Sequence, residues 1–268
     1  MSTNSWKFVG SVPENYQRYL VPVLFAPYAE DMARRIAGRT EGEVLETACG
    51  TGALTRVLRK TLPTGRHLVA TDFSTAMLQV AQAQTPPGGG IEWQAADAAG
   101  LPFDAGRFGA VACQFGMAFM PDPAQALREA RRVLAPGGSL CFSVWDFPSA
   151  NVHSRLFDEV CKRFAGDAIS PAEQDKPYSL SDRNLLRQLV LHAGFATVAI
   201  ETVSFQAVSP TARDWALGAI TGTPRALQLT NAGVALEPVV DALAEGLAAH
   251  GGAAPCRTTM HAVVVTAA

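Results

Sequence analysis

The stretch LETACGTGAL, residues 45–54, reads as an apolar strand that breaks at a glycine-bearing turn and passes directly into a helix. Gly50 and Gly52 let the backbone turn sharply and approach a ligand with no Cβ in the way. The helix that follows offers unpaired N–H groups, which receive a carboxylate or a phosphate equally well. A dinucleotide fingerprint, GxGxxG, needs glycine at position 55, where the chain has Thr55. Glu46, four residues before Gly50, puts a carboxylate at the strand end instead, which suits a cationic amino group better than a pyrophosphate. A turn that binds nothing is the plain alternative.

Working outward, short β-branched runs alternate with helical patterns, the order that builds a parallel sheet covered on both faces. Candidate strands lie at 43–48, 67–72, 91–97, 108–114, 139–145, 197–205 and 258–266, and candidate helices at 53–61, 74–84, 123–134 and 181–193. In the last helix Ser181 reads as the N-cap, Leu185, Leu186, Leu189 and Val190 as one apolar face, and Gly194 as the stop.

In LVATDFSTAML, residues 68–78, the second strand ends at Asp72, 20 residues after Gly52. Doubly wound folds place an acid there against two ribose hydroxyls. Ser74 is already available to cap the next helix, so a ligand role for Asp72 is favoured. In IEWQAADAAGLPF, residues 91–103, the third strand ends at Asp97. A carboxylate beside the Ala98 N–H matches an adenine amino group and ring nitrogen. Phe73 and Met77 offer apolar faces for such a ring, although each alone is more often plain core.

At 268 residues the chain has a prior of one to two domains, at about 150 residues per domain. Charged residues make up 17% against a usual ~25%, and 48% are apolar, which excludes long disorder. Twenty-two Lys plus Arg against 24 Asp plus Glu give a net charge of -2, without the basic excess of a nucleic-acid binder. The apolar run at 20–29 is broken by Pro22 and Pro27, too short and interrupted for a membrane span. The start, MSTNSWKF, lacks a signal pattern, and the reading is a cytoplasmic protein. Five cysteines, odd in number and without a CxxC pair, point to neither a disulfide framework nor a zinc site.

Taken in order, ETACGTG, TDFSTAML, AADAAGLPF and FGAVACQFGMAFMPD, followed by EARRVLAPGGSLCFSVW at 129–145, resemble the class I S-adenosylmethionine-dependent methyltransferases. The branch is the small-molecule one that includes ubiquinone and menaquinone methyltransferase-like (methyltransferase type 11) proteins. The resemblance covers 16–205 and the final strand. It implies an α/β, Rossmann-like sheet of seven strands, order 3-2-1-4-5-7-6 with strand seven antiparallel and helices on both faces. It also implies S-adenosyl-L-methionine as cofactor across the carboxyl ends of strands one to four. Glu46, Ala48, Gly50, Gly52 and Gln114 would hold its methionine part, Asp72 the ribose, and Asp97 with Ala98, Phe73 and Met77 the adenine. Tyr19 would close over it.

Methyl transfer to a nucleophile is an in-line displacement, so alignment and exclusion of water dominate. A base helps where the acceptor must lose a proton, and the candidates are His153, Asp146 and Tyr16. His153 is preferred because imidazole titrates near neutral pH. The chain is expected to be a single methyltransferase domain over 1–268, with an N-terminal helical cap at 1–40. Segments 146–180 and 206–256 fall outside the sheet pattern, and insertions of that length are usually functional. They are expected to form an acceptor-site lid; a packing or homodimer element is the bland alternative. Phe115, Met117, Phe119, Phe147 and Trp215 suit a flat, uncharged acceptor, and segment 206–256 holds only six charged residues in 51. The expected activity is methylation of oxygen or nitrogen on a small apolar aromatic or heteroaromatic metabolite, with no metal. The alternatives are C-methylation of a quinone-type substrate, a non-catalytic cofactor-binding subunit, and an NAD-dependent oxidoreductase, which Thr55 disfavours.

Overall fold

Alternation along the strands decides which helices cover which face of the sheet. In the computed structural model, which describes residues 10–38, 41–86, 89–169 and 175–268, the strands are β1 (Glu43–Glu46), β2 (Leu68–Asp72), β3 (Ile91–Ala95), β4 (Phe108–Gln114), β5 (Leu134–Trp145), β6 (Val198–Ser209) and β7 (Cys256–Ala267). They form one sheet in the order β3-β2-β1-β4-β5-β7-β6, as the motifs imply. β1 runs parallel to β2 and β4, with Leu45 opposite both Val69 and Val111. β7 returns antiparallel beside β5, with Phe142 opposite Val265.

On one face Leu45, Val111, Phe142, Val263 and Val265 pack with Leu127 and Val133 of the helix Pro123–Val133 and Leu186 and Val190 of the helix Arg183–His192. On the other, Val44, Ala110, Cys141 and Val264 pack with Met32 and Ile36 of Ala26–Ala37 and Leu54 and Leu58 of Ala53–Thr61. Residues one apart in sequence thus serve opposite layers, as the pleat requires.

The chain divides into two compact units. One comprises 27–145, 177–203 and 262–268 and holds the sheet core just described. The other comprises 1–26, 146–176 and 204–261. Within it the helix Ala212–Thr221 packs against Leu236–Gly251 and against the π-helical turns Tyr16–Phe25. Gly218 makes the second approach close, since a Cβ there would stand 2.4 Å from Cβ of Tyr19. Asn151, wholly buried, accepts from the backbone N–H of His261 at 2.8 Å and donates to its carbonyl at 3.1 Å.

Several boundaries differ from the sequence reading. Asp182, not Ser181, caps the helix Arg183–His192, because its carboxylate reaches the amides of both Asn184 and Leu185. β5 begins at Leu134 rather than 139: Leu134 pairs with Phe108 and the Pro-Gly-Gly that follows bulges out before Ser139 pairs with Ala110. β6 and β7 run further than expected, which shortens the segment between them. Of the expected cap at 1–40, residues 1–9 and 39–40 lie outside the described residues, and Met32 and Ile36 pack under the sheet. The helix Val152–Ala165 has no counterpart in the sequence reading.

Gly109 lies on β4 where a Cβ would stand 1.7 Å from the carbonyl oxygen of Glu41. Backbone cannot yield as a flexible side chain does. Gly109→Ala is expected to lower the unfolding free energy by about 2 kcal/mol or more, read by urea denaturation.

Candidate functional site

The glycine turn is held from both sides. Ala48 has φ +50°, Gly50 +56° and Gly52 +78°, a run of left-handed residues that reverses the chain between β1 and its helix. The amide of Cys49 donates to Thr71 O at 2.9 Å and that of Gly50 to Asp72 Oδ2 at 2.7 Å. The two glycines are not equivalent. A Cβ at Gly50 would meet nothing within 4 Å, so its outer face is open to a ligand. One at Gly52 would meet Arg56, Ala81 and Trp93 at 3.1–3.2 Å, so that glycine serves packing. A Cβ on Gly116 would lie 2.4 Å from that of Ala48, which brings the ends of β1 and β4 together.

Two carboxyl groups flank the turn. Asp72 accepts from Gly50 N and, through Oδ1, from Ser74 N at 2.8 Å, so it ties the first two strand ends besides any ligand role. Ser74 caps the next helix as expected, accepting from Met77 N. Burial raises Asp72, and its two amide donors oppose the rise. Glu46 is 1% exposed and accepts from Thr55 Oγ1 at 2.6 Å. Burial pushes its carboxyl up to about 8; Thr55 and Arg56 oppose the rise and Asp72 adds to it.

The residues expected at the far end of a cofactor lie at the ends of β2 and β3. Phe73 is 79% exposed, whereas Met77 is buried. Asp97 is exposed, and its Oδ1 accepts from the amide of Ala99, two residues on; Ala98 is half-buried and packs on the core. Gln114 ends β4, opposite Ser143 of β5.

Of the aromatic residues expected at an acceptor, Phe115 is buried at φ +56°, its amide bonded to Ser143 O at 3.0 Å. Its ring stacks on Trp145 at 4.2 Å and meets Tyr28 edge-on at 5.2 Å. Met117 is in the core, and Phe119 is half-buried. In the other unit, Phe147 is 45% exposed and Trp215 is buried with the His153 ring 5.5 Å away. His153 is itself buried, and burial lowers it to about 4, with His261 adding to the effect. It therefore does not titrate near neutral pH as its residue type predicts. Asp146 directs Oδ1 to the Phe147 amide, Tyr16 stacks on Phe25 at 4.9 Å, and Tyr19 lies beneath the Arg18 guanidinium.

A methyltransferase-domain family model matches residues 45–142. A demethylmenaquinone methyltransferase from Clavibacter sepedonicus is 30% identical over 174 residues, covering 62% of this chain and 70% of the relative. This chain belongs to the S-adenosylmethionine-dependent methyltransferase family. A ubiquinone/menaquinone biosynthesis C-methyltransferase from Hahella chejuensis is 36% identical over 123 residues, 45% of this chain and 49% of its own. Among solved structures, phosphoethanolamine N-methyltransferase 2 of Haemonchus contortus shares the fold at a TM-score of 0.61 and 16% identity, covering 95% of this chain and 56% of that one. The YcgJ protein of Bacillus subtilis does so at 0.58 and 16%, covering 90% and 97%.

The methyltransferase's turn fits the family's cofactor, S-adenosylmethionine, on its own chemistry. Beside the open face of Gly50, Thr51 Oγ1 is buried with no hydrogen-bond partner among the described residues. A polar group of a ligand satisfies such an atom. Thr51, Thr55, Arg56 and Ser143 were not singled out from sequence. Thr55 registered there only as a missing glycine, and the others carry no local signal. Among the described residues no His, Cys, Asp or Glu cluster suits a metal, the five cysteines are free, and no helix is long and apolar enough to cross a membrane.

Glu46 makes the free methyltransferase's stability depend on pH. Its folded value stands near 8 against an ordinary 4.5. The stability it contributes is fully present below the unfolded value and is lost as pH rises through the folded one. The thermal midpoint is expected to fall between pH 5 and 8, and Glu46→Gln, which stays neutral, is expected to flatten that slope in a calorimetric series.

Proposed function

We propose that the chain transfers a methyl group from S-adenosylmethionine to oxygen or nitrogen of a small, largely apolar aromatic or heteroaromatic acceptor. The observation that carries the acceptor side is the buried His153 ring, 5.5 Å from that of Trp215. An imidazole lowered to about 4 is neutral across the working range and so already in the accepting form, as a weaker base than an ordinary histidine. Asp146 and Tyr16 are less suited, the first turned to its neighbour's amide and the second stacked on Phe25.

When bound, S-adenosylmethionine supplies an electrophilic methyl group on a sulfonium sulfur. Glu46 meets the ammonium group as a carboxylate. Each Asp72 oxygen, having accepted one amide, keeps a lone pair for a ribose hydroxyl. The exposed ring of Phe73 offers a face to the adenine, with Asp97 and Ala98 at its edge, and Gln114 and Ala48 border the methionine part. His153 takes the acceptor's proton as the new bond forms. We assign acceptor recognition to segments 10–26, 146–169 and 206–256, with Tyr19, Phe147 and Trp215 as contacts. Phe115 and Met117 are buried in the sheet unit and serve as packing there, and Phe119 is half-buried.

C-methylation of a quinone-type acceptor is the second reading, favoured by the names of the Clavibacter and Hahella relatives. A labelled-methyl transfer screen over phenols, N-heterocycles, amines and reduced naphthoquinones separates them. Product at oxygen or nitrogen supports the first reading and product at ring carbon the second. Cofactor binding with silence across the panel overturns both in favour of a non-catalytic subunit.

Asp72→Ala is expected to weaken S-adenosylhomocysteine binding by about tenfold or more in calorimetry, since ribose hydroxyls lose a charged acceptor. His153→Gln is expected to lower kcat on the identified acceptor while leaving that affinity within about twofold of the parent. Equal losses of both would remove the base assignment.

A further inference from the structure

A threonine in or at the end of a helix commonly returns its hydroxyl to the carbonyl four residues back. Thr61, Thr85, Thr221, Thr223 and Thr230 all do so here, at 2.7–3.0 Å. Thr55 does not. Its hydroxyl donates across to Glu46 Oε2 at 2.6 Å, although the residue is wholly buried in the first turns of its helix. The carbonyl it would otherwise bond, that of Thr51, instead accepts from Arg56 Nη1 at 2.6 Å.

Adjacent residues of one helix turn therefore divide two tasks. Arg56 holds the glycine turn through its backbone, and Thr55 holds the carboxyl at the end of the central strand.

We propose that Thr55 is the positioning residue for cofactor capture: its hydroxyl fixes the Glu46 carboxylate in the acceptor state that an ammonium group requires. The proposal rests on the reading above that Glu46 meets the cofactor's amino group. The groups facing Glu46 are Thr55 and Arg56 from the helix Ala53–Thr61, Asp72 from the end of β2, and the thiols of Cys49 in the turn and Cys113 on β4. Burial and Asp72 disfavour its charge; Thr55 and Arg56 favour it.

A hydroxyl that donates favours the ionised carboxyl over the protonated one, because a charged acceptor makes the stronger bond. Capture of an ammonium ligand therefore expels the Glu46 proton to solvent as the ion pair forms. At pH 7, a unit below the Glu46 value of about 8, binding is accompanied by release of close to one proton.

S-adenosylhomocysteine carries the same ammonium group and tests this without turnover. Calorimetry between pH 6 and 9, in two buffers of different ionisation heat, is expected to show affinity climbing toward pH 8 with proton release at pH 7. In Thr55→Val the climb moves up by about one pH unit, giving roughly tenfold weaker binding at pH 7 and a loss of only about twofold at pH 9. Thr55→Ser restores the parent profile. Thr55→Ala reads the same shift should the valine variant not fold. A carbon-13 NMR titration of the Glu46 carboxyl in the free protein, assigned through Glu46→Gln, is expected to show the same displacement with no ligand.

A parent profile that depends on pH, left unmoved by removal of the hydroxyl, overturns the role of Thr55 alone. Binding that neither varies with pH nor releases a proton in the parent overturns the assignment of Glu46 to the ammonium group. Absence of S-adenosylhomocysteine binding at every pH overturns the cofactor reading itself.

Discussion

One carboxylate, that of Asp72, accepts from the amides of Gly50 and Ser74 and so joins the ends of two neighbouring strands. A turn of three left-handed residues has no ladder of its own to hold it. The Asp72 bond and the amide of Cys49 on Thr71 O supply the missing constraint. With the turn fixed, the helix Ala53–Thr61 starts at a defined place, and Thr55 and Arg56 fall on the side from which they reach Glu46 and Thr51. The acid that marks the second strand in sequence is thus structural, with acceptor capacity left over. That capacity remains because each oxygen of a carboxylate accepts more than one bond.

Much of this was legible before any coordinates, and the reason is local. Strands such as 108–114 and 67–72 are short apolar runs ended by turn residues, and the family resemblance that their motifs carry implies which of them are neighbours. The cap at Asp182 was missed by one residue because Ser181 and Asp182 are equally good caps on paper. Which one turns outward depends on the burial of Ser181, a tertiary fact. The bulge at Pro136 to Gly138 and the crowding at Gly109 arise from residues distant in sequence. No window of neighbours contains them.

In the candidate site the split is similar. Glu46, Gly50 and Asp72 are read through their spacing around one glycine turn, and Phe73 only as an apolar face beside Asp72. Thr55 was visible only as a departure from another family's pattern. His153 shows how far residue type can mislead: an imidazole signals neutral titration, yet beside Trp215 and out of water it stays uncharged. Phe115 reads as an apolar side chain suited to a flat acceptor, and in the structure its left-handed backbone places the ring on Trp145. A bulky residue at positive φ costs about 1–2 kcal/mol, and here stacking and two bonds to Ser143 offset it.

Asn151 has a consequence for the sheet as a polymer of hydrogen bonds. β5 ends at Trp145, and at His261 the next rung of β7 is made by the Asp146 amide and by an Asn151 side chain that donates and accepts as a peptide unit would. The ladder is closed by a mimic of its own repeat, so no open rung is left at that point for solvent or a foreign strand to enter. Fraying from this end has to begin by displacing a wholly buried amide, that of Asn151.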